Sequence, residues 1–104
     1  MPLIKVKTSV STPEKSQIES LLKVLSAKLA QHTGKPESYV MKAFEAEVPM
    51  TFAGTTEPVC YLEIKSVGTM KPEQTKAMSQ DFCQEINQFL NVPKNRIYID
   101  SLHL

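Results

Sequence analysis

Tryptophan is absent from this chain and arginine nearly so: Arg96 is the only one among 12 basic residues. Eleven acidic residues leave a net charge of +1, and no like-charge run exceeds two. That balance excludes a nucleic-acid-binding face and a polybasic membrane patch. No apolar stretch approaches the ~20 residues that cross a bilayer. The amino terminus lacks the apolar core of an export signal, so the expectation is a cytoplasmic protein. Cysteine is sparse as well. Cys60 and Cys83 stand in a strand-like and a helix-like segment with no C-x-x-C between them. This excludes a thioredoxin-type motif and favours two small buried thiols over a disulfide. His32 and His103 come without cysteine or acid at ligand spacing, so no metal site is expected.

What the chain does have is enough apolar residues, 41%, for one modest core. Residues 1–104 read as a single domain, of a size for which oligomerisation is a natural way to bury more surface. Leu3-Ile4-Lys5-Val6-Lys7-Thr8 alternates apolar and polar residues and predicts a first strand. Ser11-Thr12-Pro13-Glu14 predicts a helix start, followed by a stripe of Ile18, Leu21, Leu22, Leu25 and Leu29. Gly34 closes that helix and Pro36 prevents its continuation. Tyr39 to Ala46 predicts a second strand, parallel to the first because a helix joins them.

Pro49 to Pro58 is loop, and then the pattern restarts. Val59 to Val67 is the strongest strand signal in the chain. Pro72-Glu73 opens a second helix with a stripe of Met78, Phe82, Ile86, Phe89 and Leu90. Val92-Pro93 breaks it, and Arg96-Ile97-Tyr98-Ile99-Asp100 forms the last strand. The near-equal spacing of the two halves indicates a duplicated β-α-β unit. The economical architecture is α+β: a four-stranded mixed sheet with two helices on one face. A ferredoxin-like chain has the same element order, so the strand order stays open.

Pro2 is the candidate around which chemistry could be organised. Removal of the initiator methionine is favoured ahead of a small residue, and would leave a secondary amine continuous with a strand. Held near apolar walls and another cation, that amine loses proton affinity and can serve as a general base near neutral pH. By residue type alone, the favoured reading of Pro2 is a tolerated strand-start proline.

Motifs in order along nearly the whole chain change that weighting. Pro2 opening a strand, Thr33-Gly34-Lys35-Pro36 with Tyr39, Phe52-Ala53-Gly54 with Glu57-Pro58, Ser66-Val67-Gly68, and Arg96-Ile97-Tyr98-Ile99 together resemble the macrophage migration inhibitory factor and D-dopachrome tautomerase family. The resemblance implies a tautomerase-like homotrimer of β-α-β-β-α-β protomers with active sites at the subunit interfaces. It implies a cofactor-independent keto–enol isomerase acting on a small aromatic 2-keto acid or enol of the phenylpyruvate or dopachrome type. It assigns Pro2 as catalytic acid/base and Lys35 as anchor for the substrate carboxylate. Val67 contributes an apolar wall and a backbone amide, Tyr39 a rim aromatic, and Tyr98 a ring offered to the neighbouring subunit's site. It also implies an alternative function: a cytokine-like protein, released from cells without a signal peptide, that binds a receptor through a vestigial site.

Three departures from that family stand out. Asp100 occupies a position that is usually asparagine, where an acid would enter the substrate site and repel an anion. Strand alternation leaves open whether it does so or pairs with Arg96 or Lys94 at the surface. Val59 and Leu62 fall where the family carries its C-x-x-C, so no thiol-oxidoreductase side activity is expected. The sequence ends at Leu104 without the usual Trp- and Phe-containing tail, which bears on the shape of the site.

Overall fold

The computed structural model describes residues 2–34, 36–65 and 70–102. Strand β1 (Leu3–Thr8) leads into helix α1 (Lys15–Thr33), and strand β2 (Met41–Glu45) follows after a 3-10 turn at Glu37–Tyr39. The second half repeats this as β3 (Cys60–Lys65), α2 (Pro72–Leu90), a 3-10 turn at Lys94–Arg96 and β4 (Ile97–Leu102). The sheet order is β2-β1-β3-β4, with β1 parallel to β2, β3 parallel to β4 and β1 antiparallel to β3. Each half thus pairs its own two strands, and the halves meet at the central antiparallel pair. This order excludes the ferredoxin-like alternative, whose β-α-β units interleave.

The period of two along the strands decides which side chains enter the core. Ile4, Val6, Cys60, Leu62 and Ile64 are fully buried, and with Leu21, Leu25, Leu29, Met78, Phe82 and Ile86 from the helices they form one cluster. The opposite face carries Lys5, Lys7, Tyr61, Glu63, Tyr98 and Asp100 and is open. Burying a side chain of Leu or Phe size contributes about 1.5–3 kcal/mol, so this cluster dominates the stability of the protomer. Ile18, Leu22 and Phe89, predicted on the helix stripes, are only half-buried at their margins. His32 near the end of α1 and Asp81 of α2 join the two helices at 2.6 Å.

Several boundaries differ from the sequence reading. Helix α1 begins at Lys15 behind Glu14, with no side-chain cap, and the Thr12 hydroxyl bonds the Glu47 carboxylate instead. Gly34 closes the helix in the left-handed conformation (φ 73°) as predicted, a conformation that glycine adopts without steric cost. The second strand is shorter than predicted: Tyr39 lies in the 3-10 turn, where the Tyr39 and Val40 amides bond Pro36 and Glu37 carbonyls. At the start of β4, Arg96 belongs to a 3-10 turn and is buried, because its guanidinium is recruited by a loop. Both cysteines are free; Cys60 is fully buried and Cys83 only half so. Among the described residues, no helix is long and apolar enough to cross a membrane, and no group of three or more potential ligands could hold a metal ion.

Candidate active site

Pro2 is buried and stands at the head of β1, in the central pair of strands. Alternation places it on the helix-facing side, two residues ahead of Ile4. Its carbonyl accepts a hydrogen bond from the Met41 amide at 2.9 Å, which ties the chain start to β2. A proline can occupy this place because the first residue of a strand need not donate to the ladder. The result is a terminus held by sheet pairing, which otherwise would fray.

The elements that end beside Pro2 follow from the topology. Helix α1 runs back along β1, so its Gly34 cap and Pro36 precede the turn that delivers Tyr39 and Met41 to this end of the sheet. Tyr39 is 61% exposed there. Lys35, the expected carboxylate anchor, lies outside the described residues, as does Val67. On the other side of β1, Leu3 pairs with Lys65. The Lys65 ammonium is held by Glu63 at 2.7 Å on the open face. That ion pair holds the Glu63 carboxyl below its usual range and the Lys65 ammonium above its own; hydrogen bonding between the two is the largest cause for each.

Tyr98 is elsewhere. It pairs with Tyr61, and Tyr61 pairs with Lys7, five residues along β1 from Pro2. At ~3.3 Å per residue that is about 17 Å along the strands, beyond the reach of a tyrosine side chain. Within one protomer, therefore, Tyr98 cannot complete a site at Pro2. It stacks on Tyr61 with centroids 5.9 Å apart and remains 57% exposed.

Asp100 lies between these ends, in register with Glu63 and, through it, Lys5. The Tyr61 hydroxyl sits 3.4 Å from Asp100 Oδ2 and 3.5 Å from Glu63 Oε2, shared between two carboxylates. Burial, ahead of those two charges, holds the Tyr61 phenol above its ordinary value. The surface pairing of Asp100 with Arg96 does not occur. Arg96 Nε donates to Pro58 O at 2.9 Å, Nη1 to Phe52 O at 3.0 Å, and Nη2 to Glu57 O at 2.9 Å and Thr55 O at 3.4 Å. Its guanidinium also lies 5.5 Å from the Phe52 ring centroid. The rigid fork of donors suits this ring of loop carbonyls, which an ammonium could not match.

The fold and the motif order agree with known proteins. The family model described as macrophage migration inhibitory factor matches residues 1–104. The chain belongs to the macrophage migration inhibitory factor family. Among its relatives, macrophage migration inhibitory factor of Meriones unguiculatus is 34% identical over 96% of this chain and 85% of that protein. The crystal structure of a homologue from Prochlorococcus marinus is 46% identical with a TM-score of 0.86, covering 95% of this chain and 85% of that one. The Toxoplasma gondii factor is 26% identical with a TM-score of 0.89, over 98% of this chain and 89% of its own. Family membership supports a function of the tautomerase superfamily in general terms.

Sequence reading did not single out Lys65 or Tyr61. The signal for Lys65 was its place at the end of the third strand; only the β1–β3 register put it beside the chain start.

Proposed function

We propose that this protein is a cofactor-independent keto–enol tautomerase of small aromatic 2-keto acids, in which the amine of Pro2 is the acid/base. The observation that carries the proposal is a buried proline opening a central strand, its carbonyl bonded to Met41. Once Met1 is removed, the neutral amine accepts a proton from the carbon alpha to the carbonyl and returns one to the oxygen, or the reverse. One base of matched proton affinity serves both steps. Cationic and amide donors stabilise the oxygen as charge develops on it, with Lys35 as the carboxylate anchor, Val67 as an apolar wall and Tyr39 at the rim.

The working assembly in this proposal is a homotrimer. The exposed large apolar residues form two patches at opposite corners of the sheet. Tyr39 and Met41 flank the β2 edge near Pro2; Phe52 and Tyr98 flank the β4 edge at the far end. Two unlike patches at opposite corners suit head-to-tail association, which closes into a ring when the rotation allows. Such a ring brings Tyr98 and Asp100 of one copy towards Pro2 of the next, supplying what a single protomer lacks.

The test is an enol–keto assay with phenylpyruvate on protein with a native amino terminus. Intact mass should show loss of methionine. Pro2→Gly, or one residue added ahead of Pro2, should reduce the rate by about a hundredfold or more. Full activity with a blocked terminus would refute the assignment. The names of the relatives, factors that inhibit macrophage migration, support a second reading, a signalling protein that binds a receptor. Inactivity of the native-terminus protein in the assay would favour it.

A further inference from the structure

Side-chain hydrogen bonds tie helix α1 to helix α2 near both ends of α1. Gln17, in the first turn, donates from Nε2 to Phe89 O near the end of α2 at 3.2 Å. His32, in the last turn, meets Asp81 Oδ2 through Nε2 at 2.6 Å, with side chains only 17% and 35% exposed. The chain that follows His32 borders the Pro2 site. Gly34 caps α1 onto Ala30 O, the 3-10 turn carries Tyr39, and the Met41 amide closes on Pro2 O. Pro36 to Tyr39 are all exposed, so burial does little to hold this stretch, and the end of α1 sets its place. We infer that His32 and Asp81 are positioning residues for the Pro2 site: their bond fixes the end of α1, and with it the stretch of chain that presents Tyr39 and meets Pro2 through Met41.

The inference rests on the tautomerase proposal and adds to it two residues that touch neither the substrate nor the base. Cohesion of the helices does not require the pair, because Leu21, Leu25, Leu29, Met78, Phe82 and Ile86 already share one apolar cluster. Apolar burial is non-directional, whereas a hydrogen bond to a carboxylate is short and demands a geometry. The pair therefore fixes the setting of the last turn of α1, which packing alone leaves softer. Small displacements there matter, since moving a binding group by about 1 Å can cost on the order of a hundredfold in rate. The Gln17 tie supplies an internal comparison. It joins the same two helices about 22 Å away along α1, at 1.5 Å per residue, at the end remote from Pro2.

The experiment compares wild type, His32→Ala, Asp81→Ala, the double variant and Gln17→Ala by steady-state turnover of phenylpyruvate and by calorimetric binding of the acid. Both are measured at a temperature at which thermal denaturation shows every variant folded. His32→Ala and Asp81→Ala should each raise the KM and the calorimetric Kd about fivefold, the most that a partly exposed pair returns. Their kcat should stay within about twofold of wild type, because the loss is one of binding. The double variant should be no worse than either single one, since both remove the same interaction. Gln17→Ala should leave KM and Kd unchanged. A merely stabilising pair would lower the melting temperature and leave the affinity of the folded protein as it is. Wild-type affinity in His32→Ala and Asp81→Ala would therefore overturn the inference, as would an equal loss in Gln17→Ala or the absence of binding by wild type. Absence of turnover alone would sink the tautomerase proposal, and the binding comparison would still decide the role of the pair.

Discussion

Tyr98 stands directly opposite Tyr61 in the parallel β3–β4 register, its ring stacked on that of Tyr61 at an interplanar angle of 24°. The stack lies on the open face, at the end of the sheet remote from Pro2. A stacked aromatic pair contributes about 0.5–1.5 kcal/mol beyond area burial, so Tyr98 is held in a fixed orientation while remaining exposed. That arrangement suits a residue presented to another subunit.

If sites form between copies, two inactive variants should rescue each other. Pro2→Gly lacks the base and Tyr98→Ala lacks the ring. Mixed and reassembled, some trimers contain a site with Pro2 from one subunit and Tyr98 from its neighbour. Activity in the mixture should therefore exceed the sum of the separate variants. No recovery, with light scattering showing that mixed trimers formed, would mean that the two residues do not share a site across subunits.

Arg96 should be irreplaceable by lysine. Its fork reaches four carbonyls of the 52–58 loop, and an ammonium cannot match that geometry. Arg96→Lys should cost about 2 kcal/mol, since a hydrogen bond from a charged donor contributes about 1.5–3 kcal/mol and solvent recovers part of it. Urea denaturation would register this as a lower midpoint with the slope unchanged. A midpoint equal to that of wild type would show that the loop does not depend on the clamp.

Asp100 shares the Tyr61 hydroxyl and lies beside Glu63, adding a second negative charge to the face that presents Tyr98. Asp100→Asn keeps an oxygen acceptor for Tyr61 and removes the charge. The KM for phenylpyruvate should fall about threefold, the scale of one exposed charge interaction. If both KM and kcat stay the same, Asp100 does not face the substrate.

Cys60 makes a pH prediction. Burial, with a smaller contribution from Cys83, pushes its thiol from 9.0 to about 12. The folded protein therefore keeps a proton that the unfolded chain releases above pH 9. Cys60 supports the folded state fully below that pH, and its support is lost progressively between about pH 9 and 12. The slope approaches 1.4 kcal/mol per pH unit. Stability measured from pH 8 to 11 should decline less steeply in Cys60→Ala, in which the other titrating groups are unchanged. Equal slopes would show that Cys60 ionises as freely in the fold as outside it. Burial also raises the Cys83 thiol, so neither cysteine should react readily with iodoacetamide at pH 7 in the native state.

The sequence by itself determined the elements and their kind. Alternation in Leu3–Thr8 and Cys60–Lys65, stripes in the two helices and the glycine stop at Gly34 are local patterns, each set by the geometry of a few neighbouring residues. The duplicated halves, and Pro2 at the head of a strand, were legible for the same reason. Strand order and register were decided only by the tertiary structure, because they depend on pairing between segments far apart in the chain. That pairing placed Lys65 opposite Leu3, put Tyr98 at the end of the sheet remote from Pro2, and drew Arg96 out of the strand into the 52–58 loop. A buried guanidinium is stable only where its donors are satisfied, and the four carbonyls that satisfy Arg96 stand some 40 residues away along the chain.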